Sequence, residues 1–161
     1  MSWSRDEGAS AALMTVVLLP LLTLTLSGFL QLGTLRVAVA RVRAAADLAA
    51  LVAVNDQDDE ELARTGALRL RSDAADVARD YFGRQLELSA PLLGASANAI
   101  AAGADIAAYP VTPAYDSRTV TRYDRPTVRI AAEVPLRTPL LGPLFLQPVT
   151  VVNVMAASSA R

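Results

Sequence analysis

The chain has 161 residues and a formal net charge of −1, and 53% of its residues are hydrophobic. It contains neither cysteine nor histidine, and all 15 of its basic residues are arginine. A disulfide framework, a thiol nucleophile, a Cys/His zinc site and a histidine general base are therefore excluded. The near-neutral charge gives no basic field for binding nucleic acid. Composition thus points away from most enzymes and toward a membrane-attached structural or interaction protein.

A segment near the N-terminus has the length and composition of a transmembrane helix. No charged residue occurs between Gly8 and Leu35, and leucine dominates residues 12–32. About 20 residues at ~1.5 Å each span a bilayer core of ~30 Å. A cleaved signal peptide usually has a shorter apolar stretch, and a buried core helix seldom stays uncharged over this length. We therefore predict a membrane anchor over residues 9–35, preceded by a leader or cytoplasmic stub at residues 1–8.

The helical pattern continues beyond the apolar segment. Residues 36–54 contain no proline or glycine and are rich in alanine, the best helix former. We therefore expect one continuous helix over residues 9–54, in which 36–54 extend the membrane anchor. Pro20 is predicted to kink it, because proline removes a backbone hydrogen bond and clashes with the preceding turn. One stripe of the extension carries Val37, Ala40, Ala44, Asp47 and Leu51.

Small side chains in the extension predict close helix packing. They are Ala38, Ala40, Ala44, Ala45 and Ala49. Because small residues let two helices approach closely, they are suited to packing against other subunits. The alternative is packing against the chain's own sheet, and both are compatible on opposite faces of the helix.

The charges flanking the apolar segment bear on its orientation. Arg5 precedes it, whereas Arg36, Arg41 and Arg43 follow it. Counted by the positive-inside rule, this distribution favours a cytoplasmic C-terminal part. Long domains are translocated regardless of nearby charge, so an extracytoplasmic domain over residues 55–161 is also compatible with the sequence.

An acidic stretch follows the long helix. Residues 56–60 show the opening alternation of a calcium-binding loop, but Glu61 occupies the place of the required glycine and Ala67 that of the final glutamate. The calcium interpretation therefore fails. We instead predict Asp58 as the N-cap of a new helix with Glu61 at its third position, where acidic groups are stabilised by the helix dipole.

The remaining residues predict a mixed domain. Residues 60–85 form one amphipathic helix or two, interrupted at Gly66 or at residues 72–73, and residues 86–90 are a possible short strand. No element is assigned to residues 91–108. The last third contains a strand at 118–123, a turn at 124–126, a strand at 127–134, an apolar connection at 135–148 and a strand at 149–156. The fold class is therefore α+β: a long N-terminal helix, a second helix and a small antiparallel sheet of three to four strands.

Few residues outside the long helix suggest a chemical site. Asp105, Asp116 and Asp124 lie in or beside predicted loops, where solvated carboxylates are far commoner than a catalytic pair. The tyrosines form either an exposed aromatic contact surface or the packing of turns, and they are Tyr109, Tyr115 and Tyr123. The sequence contains no glycine-rich phosphate loop and implies no cofactor or metal. We predict no enzymatic activity.

Several stretches of the sequence resemble TadE/TadG-like proteins. Arg5 and Gly8 stand before an apolar helix that contains Leu-Leu-Pro-Leu-Leu at residues 18–22. The more specific match is Arg-Ala-Ala-Ala-Asp-Leu-Ala-Ala-Leu at residues 43–51, and its family-like positions are Ala45, Ala46, Asp47 and Leu51. The tail is similar as well, with Val-Pro at 134–135, Thr-Pro-Leu-Leu-Gly at 138–142 and a final strand ending near Arg161.

The resemblance implies a pseudopilin or minor pilin of a tight-adherence, Flp-type pilus in the bacterial cell envelope. Such a protein is anchored in the inner membrane or incorporated in an extracellular pilus, and its C-terminal domain, residues 55–161 here, lies outside the cytoplasm. Its partners are other pilin subunits and the inner-membrane assembly platform. In processed members, prepilin peptidase cuts after a glycine, which is Gly8 here and leaves Ala9 as the new N-terminus. The glutamate that pilins carry five residues past the cut is Leu13 in this chain. The alternative function is a single-pass, membrane-tethered binding module of the envelope.

Overall fold

The N-terminal third of the protein is one helix. The computed structural model describes the backbone of residues 3–138 and 149–160, with side chains from Met14 onward within those ranges. Helix α1 runs without interruption over Trp3–Asn55, which confirms the predicted continuity of residues 9–54. Pro20 lies inside α1, and the helix continues past it despite the missing N–H. The kink at Pro20 stays a prediction. At ~1.5 Å per residue, α1 is about 80 Å long.

In the described part of the chain, three shorter helices follow α1. They are α2 Asp59–Thr65, α3 Ala74–Glu87 and α4 Ala97–Gly103. Asp58 is the N-cap of α2, and its carboxylate accepts a hydrogen bond from the Glu61 N–H, as predicted. Gly66 ends α2 in the left-handed conformation, with a φ of 71° that residues with a Cβ adopt at a cost. The segment predicted as one helix or two is therefore two helices, and the break spans both proposed positions.

The short strand predicted at residues 86–90 is wrong. Leu86 belongs to the last turn of α3, and Ala90–Leu92 forms a 3-10 turn. Leu86 follows Phe82 by one helical turn, and both side chains are fully buried in the core. Burial on this helical stripe therefore outweighs the weak local preference for a strand.

The C-terminal half contains a three-stranded antiparallel sheet and a separate hairpin. The strands are β1 Asp105–Tyr109, β2 Ala114–Asp116, β3 Thr121–Tyr123, β4 Thr127–Arg137 and β5 Val149–Ser159. The sheet has the order β1-β4-β5, while β2 and β3 pair with each other. The predicted α+β class, with its long N-terminal helix and small antiparallel sheet, is confirmed.

The hairpin starts its second strand later than predicted. Residues 118–120 form its turn, because the Asp116 carboxylate accepts hydrogen bonds from the Arg118 N–H and the Thr119 hydroxyl. This local capping of the turn holds the chain out of the extended conformation that the alternating pattern of 118–123 favours.

Strand β4 continues further than predicted. It passes through Pro135, which was assigned to the connection, and ends at Arg137. The Pro135 carbonyl accepts a hydrogen bond from the Gly94 N–H at 2.7 Å, which gives this residue a backbone partner beside the sheet. Strand β5 likewise extends to Ser159 instead of ending at residue 156. The predicted connection from residue 139 onward, with the family-like stretch at 139–142, lies outside the described residues.

The core lies between α1, α3 and the inner face of the sheet. Helix α1 packs on α3, β5 and β4. Its buried residues are mostly alanine, which brings the helix close to the sheet: Ala38, Val42, Ala45, Ala46, Ala49, Ala50, Ala53 and Val54. Strand β4 alternates between buried and more exposed residues from Ala131 onward, but residues 127–130 are all buried. The second face of β4 is thus covered at that end, where Arg129 meets residues of β1 and β2.

Candidate functional site

The first half of α1 exposes apolar side chains to its surroundings. The large apolar residues between Met14 and Leu32 are all exposed. The Thr23 hydroxyl donates a hydrogen bond to the Leu19 carbonyl at 2.8 Å, and the Thr25 hydroxyl donates one to the Leu21 carbonyl, so both polar groups are satisfied inside the helix. Within the described residues, this N-terminal helix is long and apolar enough to span a membrane. It has the properties of a single-pass anchor.

Gln31 marks the level at which burial of α1 begins. Its side chain is 3% exposed, while Leu30 and Leu32 on either side are exposed. From Ala9 to Leu30 the helix is about 33 Å long at ~1.5 Å per residue, which matches a bilayer core of ~30 Å. Because α1 continues directly from this apolar length into the domain, no break in the helix separates the domain from the apolar span.

Above Gln31, helix α1 has two unlike faces. The predicted packing residues divide between them: Ala38, Ala45 and Ala49 are buried within the domain, whereas Ala40 and Ala44 are exposed. The family-like positions divide too, since Ala45 and Ala46 are buried while Asp47 and Leu51 are exposed. The chain's own domain therefore covers one face of the extension and leaves the other open.

The open face carries an apolar stripe, which we call the open stripe. Its members are Val37, Ala40, Ala44, Leu48 and Leu51. Val37 and Leu51 are 52% and 46% exposed, and they lie two seven-residue repeats apart, the spacing of a helix–helix contact. Contiguous apolar surface of this kind marks an interaction surface in a soluble environment.

Three arginines lie on the same half of α1. Arg36, Arg41 and Arg43 are exposed, and none of them forms an ion pair with another residue that the structure describes. Exposed charges of this kind contribute little to the stability of the domain. The open stripe thus has an apolar centre with basic neighbours, and the exposed carboxylate of Asp47 lies between Ala44 and Leu51.

A second feature of the domain is a buried arginine that joins three strands. Nη2 of Arg129 on β4 lies 2.8 Å from Oδ2 of Asp105 on β1, and its Nε lies 2.7 Å from Oδ2 of Asp116 on β2. The side chains of Arg129 and Asp116 are only 4% and 3% exposed. The Arg129 Nε–H is not aligned with the Asp116 oxygen, so this contact is an ion pair without a directed hydrogen bond. Arg118 adds a second cation, with Nη1 at 2.5 Å from Oδ2 of Asp105.

The electrostatics of this cluster favour ionised carboxylates. The hydrogen bond from Arg129 lowers the pKa of Asp105 below its ordinary value. Burial acts to raise the pKa of Asp116, but hydrogen bonds from the Thr119 hydroxyl, the Arg118 N–H and the Tyr109 side chain, together with the charge of Arg129, outweigh it and lower this pKa overall. General acid–base catalysis by two carboxyls requires one with a raised pKa. The cluster therefore has the properties of a structural ion-pair network.

The remaining candidate residues from the sequence are Asp124 and three tyrosines. Asp124 is exposed and pairs with Arg122 at 3.3 Å, so it does not join Asp105 and Asp116. The rings of Tyr109 and Tyr123 lie 5.1 Å apart and pack against each other, whereas Tyr115 is exposed. Two of the three tyrosines thus pack on each other between β1 and β3, and the three do not form one exposed aromatic surface.

Arg129 is the residue that sequence reasoning missed. The one signal for it is a charged residue placed directly between two β-branched apolar residues, Val128 and Ile130. Its carboxylate partners lie 24 and 13 positions earlier in the chain, so their convergence depends on the strand order and not on local spacing. In the described ranges, no three Asp or Glu side chains gather to form a metal site.

Comparison with protein-family models, with characterised proteins and with solved structures gives no match. Function is therefore inferred from the residues and from the geometry of α1 and its domain.

Proposed function

We propose that this chain is a pseudopilin or minor pilin, a structural or assembly component of a tight-adherence, type IV-like pilus or a related secretion apparatus. The observation that carries the proposal is the division of one 53-residue helix into two parts. From Met14 to Leu30 the helix exposes apolar side chains on all sides, while the part above Gln31 is buried in the domain on one face and carries the open stripe on the other. The residues at 43–51 that resemble TadE/TadG-like proteins lie in this second part.

Such a helix suits a subunit that moves between a bilayer and an assembly. The apolar span exchanges lipid for neighbouring helices without exposing apolar surface to water. The open stripe continues the same contact above the membrane, where its small members Ala40 and Ala44 allow close approach of a second helix. A helix serving only as an anchor has no need of an apolar stripe beyond the bilayer.

The proposal includes a location and partners. The helix is placed in a bacterial inner membrane as a single pass, with the domain of residues 55–161 outside the cytoplasm. Its partners are other pilin-like subunits, the membrane and the inner-membrane assembly platform. Prepilin peptidase is the proposed processing enzyme, with the cut between Gly8 and Ala9. The arginines after the span count against this orientation, but a long domain is translocated regardless of them.

Intact mass spectrometry of the native protein tests the proposal. The protein is isolated both from inner membranes and from filaments sheared off the cells. A mass beginning at Ala9 in the sheared fraction supports a processed, assembled pilin. A full-length mass confined to the membrane contradicts the processed form and leaves an uncleaved assembly component. Protease added to spheroplasts tests the orientation, since a domain that is trimmed only after lysis lies in the cytoplasm.

A second candidate is a membrane-tethered binding module. The observation that favours it is the β2–β3 hairpin, which presents exposed Tyr115 and Val120 and is held from behind by the buried Arg129 cluster. Rigidly held apolar side chains on a small hairpin are suited to partner contact. Co-isolation with a different envelope protein that is lost on Tyr115→Ser, with no protein in sheared filaments, would favour the binding module.

A further inference from the structure

Strand β5 forms one edge of the sheet, and its sequence contains none of the residues that usually prevent an edge strand from pairing with another strand. Its eleven residues, Val149–Ser159, include no charge and no proline, and they pair with β4 in an unbroken register. Natural edge strands are usually protected by a charged residue, a proline or a bulge, because an open edge accepts another strand. Val151 and Met155 are 60% and 57% exposed on its outer face. Within the described residues, this edge therefore carries no feature that opposes pairing with another strand.

Helix α1 extends under this edge. It packs more extensively on β5 than on β4, and Leu48 and Leu51 on its flank are about half exposed. A groove of about 400 Å³ runs between the end of the helix and the end of the strand, and its lining comprises Leu51, Asn55, Arg125, Ala157, Ser158 and Ser159. One further strand beside β5 would cover both the groove and Leu51. A strand added at this edge would therefore bury apolar surface that the described part of the chain leaves exposed.

We propose that β1 of a second copy of this chain supplies that strand. β1 is the opposite edge of the same sheet. Because β1 and β5 are both antiparallel to β4, they run in the same direction. Two copies that stand side by side in the same orientation therefore bring β5 of one against β1 of the next as a parallel pair. This inference rests on the proposed function only in placing both anchors in one membrane.

Symmetric pairing of two β5 edges does not allow both anchors to lie in one membrane. Helix α1 ends at Asn55, beside Ala157–Ser159 at the end of β5, so helix and strand end on the same side of the domain. A two-fold pair with both helices under one continuous sheet is antiparallel. It would point the two anchors in opposite directions, which a single membrane does not allow.

The anchors also determine the register of the pair. Ala107 on β1 is level with Arg129 on β4, and Arg129 is level with Ala157 on β5. Copies held at equal depth by identical helices therefore place Ala107 of one copy beside Ala157 of the next, next to the groove. The only charge on β1 is Asp105, and it is already neutralised by Arg129 and Arg118 of its own chain. The contact is head-to-tail, so it repeats from copy to copy instead of stopping at a dimer.

Cysteine cross-linking tests the pairing without background, because the chain has no cysteine of its own. Two full-length variants with tags of different mass, Ala107→Cys and Ala157→Cys, are produced together and separately in bacterial inner membranes and oxidised with copper–phenanthroline. Val151→Cys replaces Ala157→Cys in the control, since it lies on the same face but about 20 Å along the strand at ~3.3 Å per residue. A second cross-link test combines Tyr109→Cys with Ser159→Cys. Both residues are level with Thr127 on β4, so they are level with each other in the proposed pair.

The expected result is a disulfide heterodimer when Ala107→Cys and Ala157→Cys are mixed, and none with either variant alone or with the Val151→Cys control. The double variant should give a ladder of higher oligomers. Homodimers of Ala157→Cys alone would show β5–β5 pairing and overturn the proposal. Failure of both level pairs to cross-link in mixed membranes would overturn it as well. The pilus assignment is tested independently of these cross-links, by the intact mass of the protein and by its presence in sheared filaments.

Discussion

The Nε atom of Arg129 lies 2.7 Å from Oδ2 of Asp116, and both side chains are almost fully buried. The pair connects β4 of the main sheet with β2 of the separate hairpin, which shares no ladder with that sheet. A buried ion pair of this kind adds little net stability compared with an apolar replacement, but losing one member leaves an uncompensated buried charge. Its physical role is therefore to fix where the hairpin sits.

The first prediction concerns loss of this cation. Arg129→Met leaves Asp116 buried without its partner, and we expect the free energy of unfolding of the domain to fall by about 3–5 kcal/mol. Denaturant unfolding of the full chain in detergent, followed by circular dichroism, measures the change. The control is Arg122→Met, whose ion pair with Asp124 is exposed and is expected to contribute only about 0–1 kcal/mol.

Adding Asp116→Asn to Arg129→Met removes the stranded charge. The double variant is therefore expected to be more stable than Arg129→Met alone, although it has lost more of the native contacts. If the two changes instead add as independent losses, the ion pair is not the reason for the instability.

The second prediction is an acid-dependent loss of stability. Asp105 and Asp116 have pKa values lowered in the folded state, so they bind protons more weakly there than in the unfolded chain, where an Asp titrates near ~3.9. Their contribution is therefore fully present above about pH 5 and is lost as the pH falls through the folded pKa values. We expect constant unfolding midpoints between pH 7 and 5 and a decline below about pH 4. Asp116→Asn should make this decline shallower, and an unchanged profile would contradict the assignment.

Local signals explain which parts of the fold were predictable. The uncharged run and the alanine-rich extension determine α1, and the Asp58 cap acts within one helical turn, so both can be recognised from neighbouring residues. Strand β1 contains two alanines with low strand preference and becomes a strand only because β4 pairs with it. The Arg129 cluster requires the order β1-β4 and the return of the hairpin, which local spacing does not specify.

The two faces of α1 also show what local signals predict and what depends on long-range packing. Helical periodicity correctly grouped Val37, Ala44 and Leu51 on one stripe, and the structure leaves that stripe exposed. Periodicity alone does not say whether such a stripe faces the chain's own domain or a partner. That choice depends on where β5 and α3 pack, which is long-range information.

The third prediction concerns backbone strain in the hairpin. Val120 has a φ of 54°, a conformation that is unfavourable for a β-branched residue, and its side chain is 73% exposed. Val120→Asn should relieve the strain without loss of packing and raise the free energy of unfolding by about 1 kcal/mol. Val120→Thr keeps the β-branch and should leave thermal unfolding unchanged. Equal melting temperatures for the Asn variant and the parent would show that this turn carries no strain.

The fourth prediction tests processing at the start of α1. A peptidase site shaped for glycine does not admit a larger side chain, so Gly8→Leu should yield a full-length chain where the parent begins at Ala9. Intact mass spectrometry of membrane-extracted protein distinguishes the two. Gly28→Leu is the matched control, because Gly28 lies inside the apolar span and a Cβ there meets no atom within 4 Å. A parent chain that retains residues 1–8 contradicts the prediction.

The last prediction tests the two faces of the α1 extension by placing leucine at two alanines, one on each face. Ala46 is fully buried against the domain, so Ala46→Leu overpacks the core and should lower the free energy of unfolding by about 1–3 kcal/mol. Ala44 lies on the open stripe, so Ala44→Leu should change stability by no more than about 0.5 kcal/mol. The larger side chain at Ala44 nevertheless prevents close approach of a second helix, so we expect less protein in the sheared filament fraction. Normal recovery of Ala44→Leu in filaments would mean that the open stripe is not the surface through which copies assemble.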